Sequence, residues 1–305
     1  MSAPRVVYVA GVGFSGSTLL SFLVNAHPQL LSVGEVTGPL AALPADYPCS
    51  CGARLGECAF FARIGGALRA QGLAFDPLAW GTAVDLGDNA VERFLLTRSL
   101  RYNALDDLRD AIVARAPSLG SRMGALLARN RAFAEALCET AQRPVLVDAS
   151  KQPIRAHYLR RAGLDVRLVH LVRDSPGFVA SRRTNLGASI ESSIRHWRRG
   201  AASLARVRQR FPEERFLRLR YEDVCDDPRA AVNAIAVLAD LPPLAAGAPF
   251  ASEGAHVIGN RMRTSFQGRV ERDERWRTLL SADELARVLA DTRDLRETFG
   301  YPTAP

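Results

Sequence analysis

A short apolar segment near the start of the chain runs directly into a glycine-rich loop. Residues 6–10 read Val-Val-Tyr-Val-Ala, a run typical of a buried parallel strand. Residues 11–18 read Gly-Val-Gly-Phe-Ser-Gly-Ser-Thr, and the apolar pattern of residues 19–23 predicts a helix that stops at His27-Pro28. A loop between a strand and a helix presents backbone N–H groups and the positive end of the helix dipole to an anion. The sequence therefore predicts a phosphate- or sulfate-binding loop at the edge of a sheet.

Strand and helix patterns alternate in the second half of the chain. Apolar strand patterns at 145–147 and 166–172 flank a helical pattern at 154–162, and a further candidate strand lies at 216–221. Such alternation is typical of βαβ units, which build a parallel sheet covered by helices. We therefore predict an α/β fold with three layers.

The stretch between residues 37 and 143 has a different character. Loops that contain proline and cysteine give way to Ala-, Leu- and Arg-rich helical patterns, such as residues 121–141. A chain of 305 residues with 48% hydrophobic content can bury one large core. We predict a single domain over residues 1–305, with a Cys-containing and mainly helical insertion at about 37–143.

Charge and hydropathy narrow the possible partners. The net charge of +8 suits an anionic ligand, and the aromatic content of only 7% argues against a nucleic-acid-binding surface. No apolar window is long enough for a membrane span, and residues 6–10 are too short for a signal-peptide core. We therefore expect a cytoplasmic protein without stable membrane insertion or nucleic-acid binding.

The loop at residues 11–18 fits two familiar nucleotide-binding patterns imperfectly. With Glu35 about twenty residues on, Gly-x-Gly-x-x-Gly is the dinucleotide fingerprint of nicotinamide-dependent dehydrogenases. Here, however, Glu35 follows a glycine, and a proline interrupts the segment before it. Gly11 and Gly16 have the spacing of a Walker A loop, but Ser17 stands where a kinase or NTPase needs lysine. Both interpretations remain alternatives to the one that follows.

A third pattern is more specific. Residues 11–20 contain Gly-x-x-x-Ser-Gly-Ser-Thr-Leu-Leu, followed by Ala-His-Pro at 26–28 and Gly-Glu at 34–35. This order resembles the PAPS-dependent sulfotransferases, and tyrosylprotein sulfotransferases in particular, where PAPS is 3′-phosphoadenosine-5′-phosphosulfate. The chain departs from the family at Phe14, where a basic residue is usual. The resemblance implies a P-loop-like fold, PAPS as donor and PAP as product, with the 5′-phosphosulfate held by Gly13, Phe14, Ser15, Gly16, Ser17 and Thr18.

Three later segments resemble the same family in the same order. A strand pattern ends at Arg173-Asp174, and Ser181 follows Arg173 by the spacing of the family's 3′-phosphate motif. Residues 220–224 read Arg-Tyr-Glu-Asp-Val, and residues 256–263 resemble the late loop that closes over PAPS. The resemblance implies that the nucleotide is held by Arg173, Ser181, Tyr221, Arg261 and Arg263.

Two residues are candidates for catalysis of sulfuryl transfer to a hydroxyl. Glu35 follows the second predicted strand, so it lies at the carboxyl edge of the sheet, where α/β folds bind ligands. The matching glutamate in tyrosylprotein sulfotransferases is thought to be the general base, and we assign Glu35 that role. Lys151, the only lysine in the chain, follows another strand pattern. We assign it as the cation on the transferring group, because a compact ammonium suits a small sulfonate.

Three cysteines lie close together at Cys49, Cys51 and Cys58. They suit a metal or a local disulfide, but structural zinc sites usually show two pairs of ligands and no second pair follows nearby, so we predict no metal. The acceptor has no motif of its own. Carbohydrate, lipid, natural-product and tyrosine hydroxyls are all compatible with the sequence, which also leaves the oligomeric state open.

Overall fold

The sheet at the centre of the fold is entirely parallel. A computed structural model of the chain describes residues 4–37, 43–84, 90–97, 100, 103–250 and 254–302. Within these residues the strands are β1 Arg5–Gly11, β2 Leu30–Leu31, β3 Val145–Lys151, β4 Asp165–Val172 and β5 Phe216–Arg220. Their order across the sheet is β2-β3-β1-β4-β5, so the first strand lies in the middle.

Helices cover both faces of this sheet and extend beyond it. Parts of the predicted insertion, 38–42, 85–89, 98–99 and 101–102, lie outside the described residues. The described α-helices are α1 Ser17–Val24, α2 Ala59–Ala70, α3 Ala90–Thr97, α4 Asn103–Arg115, α5 Pro117–Ala141, α6 Pro153–Arg161, α7 Ser175–Leu186, α8 Ile190–Arg208, α9 Tyr221–Asp226, α10 Pro228–Leu238, α11 Trp276–Leu279 and α12 Ala282–Thr298. None of these helices is long and apolar enough to cross a membrane.

The alternation of side chains along β1 explains why the strand is buried on both sides. Val6, Tyr8 and Ala10 belong to one hydrophobic cluster, which includes residues of α2, α5, α6 and α8. Val7 and Val9 belong to a second cluster on the opposite face, with residues of α1 and α10. A strand covered on both faces reads as a continuous apolar run, which is the pattern at residues 6–10. The predicted α/β fold with a central parallel sheet is confirmed.

Two details of the strands refine the sequence predictions. The second strand is limited to Leu30–Leu31, and beyond it the Val33 carbonyl accepts a hydrogen bond from Ile258 N at 2.9 Å. His170 lies within β4 and is 7% exposed, so it is a core residue. Because β3, β1 and β4 are parallel neighbours, their carboxyl ends lie at one edge of the sheet, where the glycine-rich loop begins.

Candidate functional site

The glycine-rich loop leaves β1 and enters α1 through two left-handed residues. Phe14 has φ of 66° and Gly16 has φ of 91°. The Ser15 hydroxyl donates to the Val12 carbonyl at 2.8 Å, so it closes the loop on itself. Gly16 precedes α1 without a side-chain cap, which leaves the N–H groups of the first turn for an anion.

Arg173 and Ser181 meet across the junction between β4 and α7. Arg173 Nη1 donates to Ser181 Oγ and to the Phe14 carbonyl, each at 3.1 Å. Gly177 makes this approach possible, because a Cβ there would lie 2.9 Å from Arg173 Nε. The Trp197 indole donates to the Arg173 carbonyl at 3.0 Å and fixes the end of the strand. The Arg173 guanidinium therefore contacts both the glycine-rich loop and the Ser181 hydroxyl, as the spacing of Arg173 and Ser181 in the sequence predicts.

Tyr221 packs against both the glycine-rich loop and Arg173. Its ring packs so closely on Gly16 that a Cβ at that position would overlap it. The Arg173 guanidinium lies 4.5 Å from the centroid of the ring, in the range of a cation–π contact. Burial raises the pKa of the Tyr221 hydroxyl to about 12, so the hydroxyl stays protonated at neutral pH. The contacts thus run from the loop through Tyr221 to Arg173.

A cleft of about 810 Å³ opens over these residues. The segment 260–263 forms part of its wall, and the segment 271–275 forms another part. Gly259, the residue before the first of these segments, packs on the end of the glycine-rich loop, because a Cβ there would lie 2.8 Å from Thr18 Oγ1. Of the residues that the sequence assigned to the nucleotide, the cleft is lined by Phe14, Gly16, Arg173, Ser181, Tyr221, Arg261 and Arg263.

Asp273 is a residue of the cleft that the sequence did not identify. Its carboxylate lies 3.1 Å from Arg173 Nη2, and its backbone N–H donates to the Tyr221 hydroxyl at 3.1 Å. Hydrogen bonds from Arg275 and Arg173 hold the pKa of Asp273 well below its usual range. The carboxylate is therefore ionised at neutral pH and competes with any anionic ligand for Arg173. No motif marks this residue, because only the folded chain brings it to the end of β4.

The two residues assigned to catalysis form an ion pair. Lys151 Nζ donates to Glu35 Oε1, and the Lys151 side chain is 17% exposed against 37% for Glu35. Lys151 ends β3 opposite Ala10, the residue before the loop, and its backbone is left-handed with φ of 70°. Neither Glu35 nor Lys151 is among the residues that line the large cleft. They lie at the same sheet edge, beside the point where the loop leaves β1.

A buried polar network braces the strand end that carries Lys151. Asp148 accepts a hydrogen bond from Arg155 Nε at 2.8 Å and another from Ser150 N at 3.0 Å. Both members of the Asp148–Arg155 ion pair are only 1% exposed. The β1–β3 pairing shifts register between Tyr8 and Ala10, which is opposite this network. The irregular end of β3 is therefore held by side chains as well as by the strand ladder.

Comparisons with known proteins agree with the fold. The sulfotransferase domain of the Synechococcus PCC 7002 olefin synthase is 16% identical, with a TM-score of 0.54 over 99% of this chain and 97% of that one. The sulfotransferase domain from the curacin biosynthetic pathway is 13% identical, with a TM-score of 0.50 over 99% of both chains. At these identities the two structures show a shared fold. No curated protein sequence matches the chain.

A family model provides the stronger evidence. The model described as the sulfotransferase family matches residues 78–245, which is more than half of the 305 residues. The matched range includes Lys151, Arg173, Ser181 and Tyr221, and it begins after the glycine-rich loop. This match favours the third interpretation of that loop over a kinase or a dehydrogenase. The chain belongs to the sulfotransferase family.

Proposed function

We propose that this protein transfers a sulfuryl group from PAPS to the hydroxyl of an acceptor. The observation that carries the proposal is the convergence of Arg173 and Ser181 with the glycine-rich loop on one cleft. A guanidinium and a hydroxyl on one phosphate, beside a loop of N–H groups for a second, match the two anionic ends of PAPS. The cleft of about 810 Å³ also has room for a nucleotide.

The cleft residues and the glycine-rich loop bind different ends of the donor PAPS. Arg173 and Ser181 hold the 3′-phosphate, and Arg261 and Arg263 line the same cleft. The loop and the first turn of α1, including Ser17 and Thr18, hold the 5′-phosphosulfate through backbone N–H groups. Arg173 Nη1 also donates to the Phe14 carbonyl at 3.1 Å, so its charge lies beside the position where the family usually carries a basic side chain.

In the catalytic step Glu35 acts as the general base and Lys151 as the cation beside the reacting groups. PAPS supplies an activated sulfuryl group, whose S–O bond to the 5′-phosphate breaks as the acceptor oxygen bonds to sulfur. The Glu35 carboxylate accepts the proton of the acceptor hydroxyl, so the nucleophile attacks without a developing positive charge. Lys151 orients Glu35 through their contact and turns toward the sulfonate and the departing phosphate oxygen as negative charge develops there. PAP leaves carrying the bridging oxygen.

This chemistry requires that the acceptor carry a hydroxyl group, and it does not distinguish between classes of hydroxyl. Carbohydrate, lipid, natural-product and tyrosine hydroxyls all deliver one proton to Glu35 and one oxygen to sulfur. The acceptor approaches from the side of Glu35, which is 37% exposed at its side chain.

Transfer of the label from sulfur-labelled PAPS tests the proposal. The purified chain is incubated with phenols, sugars and lipid alcohols, and labelled products are separated and counted. We expect labelled sulfate ester with at least one acceptor class and an equal amount of PAP. Hydrolysis of ATP or hydride transfer to NAD by the same preparation, with no label transferred from PAPS, would reject it.

A further inference from the structure

Four side chains that suit a metal ion lie close together near the segment 260–263 of the cleft wall. Cys49, Cys51 and Cys58 come from one loop, and His256 comes from a segment about 200 residues later. Their three sulfurs and one ring nitrogen all lie within 4.8 Å of one another. Cys49 and Cys58 are fully buried, at 0% and 1% exposure, whereas Cys51 is exposed.

The separations of these atoms match a tetrahedral zinc site. With Zn–S near 2.3 Å and Zn–N near 2.0 Å, tetrahedral ligands lie about 3.8 Å apart for two sulfurs and about 3.5 Å for sulfur and nitrogen. Here the Cys51 and Cys58 sulfurs are 3.7 Å apart. His256 Nδ1 lies 3.3 Å from the Cys58 sulfur and 3.8 Å from that of Cys49. A disulfide would require about 2.05 Å between two sulfurs, so the cluster has the spacing of a ligand set.

The backbone around the cluster holds the ligands in place. Ser50, between two of the cysteines, donates to the Ala255 carbonyl and accepts from Val257 N, each at 2.7 Å. These two bonds flank His256 and fix its position opposite the cysteines. The His256 ring also stacks on Phe60, with ring centroids 4.5 Å apart. These hydrogen bonds and the ring contact therefore bring the four ligand atoms together without a metal ion.

We propose that Cys49, Cys51, Cys58 and His256 bind one zinc ion, which has a structural role. Three thiolates and one imidazole complete a tetrahedral shell, so no position is left open for a substrate or a catalytic water. The sequence predicted no metal because a second pair of ligands was missing near the cysteines. The fourth ligand lies in the distant segment that the fold brings to the loop.

The site ties the cysteine loop to the wall of the cleft. The Tyr47 hydroxyl donates to the Gly259 carbonyl at 2.9 Å, and Arg263 Nε donates to the Pro48 carbonyl at 3.0 Å. The Arg263 guanidinium also lies 4.0 Å from the centroid of the Tyr47 ring. Zinc therefore fixes the two segments whose contacts orient Arg263 in the cleft. The metal site stands on its own geometry and does not depend on the proposed function.

Metal content measured by plasma mass spectrometry tests the site. The full chain is produced with zinc in the medium, purified under reducing conditions and dialysed against a weak chelator. We expect about one zinc per chain in the wild type and its loss in Cys51→Ser and His256→Ala. Cys225→Ser is the matched control, because Cys225 is a free cysteine outside the cluster, and it should retain zinc. Cys51 is the exposed ligand, so its variant is expected to fold, which circular dichroism checks.

Cobalt provides a second readout that does not depend on the variants. Wild-type chain loaded with Co²⁺ should show the intense d–d bands of a tetrahedral ion and sulfur-to-cobalt charge transfer. A folded wild type without zinc and without these bands would overturn the proposal. Zinc that persists in both ligand variants, or a peptide map that joins Cys51 to Cys58 by a disulfide, would overturn it as well.

Discussion

The Arg173 guanidinium donates to the Ser181 hydroxyl at 3.1 Å, from the end of β4 to the first turns of α7. Replacing Arg173 by alanine should therefore weaken PAP binding by about 30- to 100-fold, since hydrogen bonds to a charged group are worth about 2 kcal/mol or more. Titration calorimetry measures the change. Arg183→Ala is the control, because Arg183 lies on the same helix but is paired with Glu284 at the surface. Equal PAP affinity in folded Arg173→Ala and wild type would refute this role.

Glu35 is in contact with Lys151, and its replacement separates binding from chemistry. Glu35→Gln should lower kcat by about 10²- to 10⁴-fold, the usual contribution of a general base, and leave PAP affinity within about twofold. Stopped assays of PAP release with an active acceptor measure the first quantity, and calorimetry measures the second. Glu57→Gln should retain full activity, because Glu57 is an exposed residue whose carboxylate lies 3.8 Å from Arg54. A Glu35→Gln enzyme with wild-type kcat would remove Glu35 from the mechanism.

Gly16 combines a left-handed backbone with a close contact to Tyr221. Gly16→Ala should lower the free energy of unfolding by about 2 kcal/mol or more, from backbone strain and the overlap of Cβ with the ring. Gly13→Ala is the matched change in the same loop, because a Cβ at Gly13 meets no atom of the described residues within 4 Å. We expect its unfolding free energy to stay within about 0.5 kcal/mol of the wild type. Similar urea midpoints for the two variants would show that the Gly16–Tyr221 contact carries no constraint.

His170 makes the stability of the fold depend on pH. Burial, with a contribution from Arg218, lowers the pKa of His170 to about 3. The unfolded imidazole takes up a proton near pH 6.5, so between about pH 6.5 and 3 the unfolded state binds more protons and stability falls as the pH falls. His170→Gln cannot take up this proton. Between pH 7.5 and 4.5 it should lose about 2 to 3 kcal/mol less unfolding free energy than the wild type.

Urea unfolding at the two pH values measures this difference directly. Each protein serves as its own reference at pH 7.5, so any loss of packing in the variant cancels from the comparison. Equal losses in the variant and the wild type would show that His170 does not titrate on unfolding.

Local patterns were sufficient to predict the parts of the site that lie within one strand and its neighbouring helix. The apolar run of β1 and the glycines after it define the loop, and the spacing of Arg173 and Ser181 places both at one strand-to-helix junction. The sequence also placed Glu35 and Lys151 at the carboxyl edge of the sheet, and the structure shows that they form an ion pair there, since Glu35 follows β2 and Lys151 ends β3.

The sequence did not predict contacts between residues that are far apart along the chain. Asp273 meets Arg173 across 100 residues, and His256 meets the cysteines across about 200. Neither position carries a local periodicity or turn signal that indicates its partner. Such contacts are set by the tertiary path of the segment between α10 and α11, whose described residues are mostly in loops.

The nucleotide preference of the wild-type chain tests the central claim most directly. Calorimetric titration with PAP, ATP and NAD under one buffer condition compares a ligand that carries both a 3′- and a 5′-phosphate with two that lack the 3′-phosphate. Since Arg173 and Ser181 together serve that phosphate, PAP should bind at least about 100-fold more tightly than either comparator. ATP or NAD binding as tightly as PAP would contradict the assignment of the cleft to PAPS.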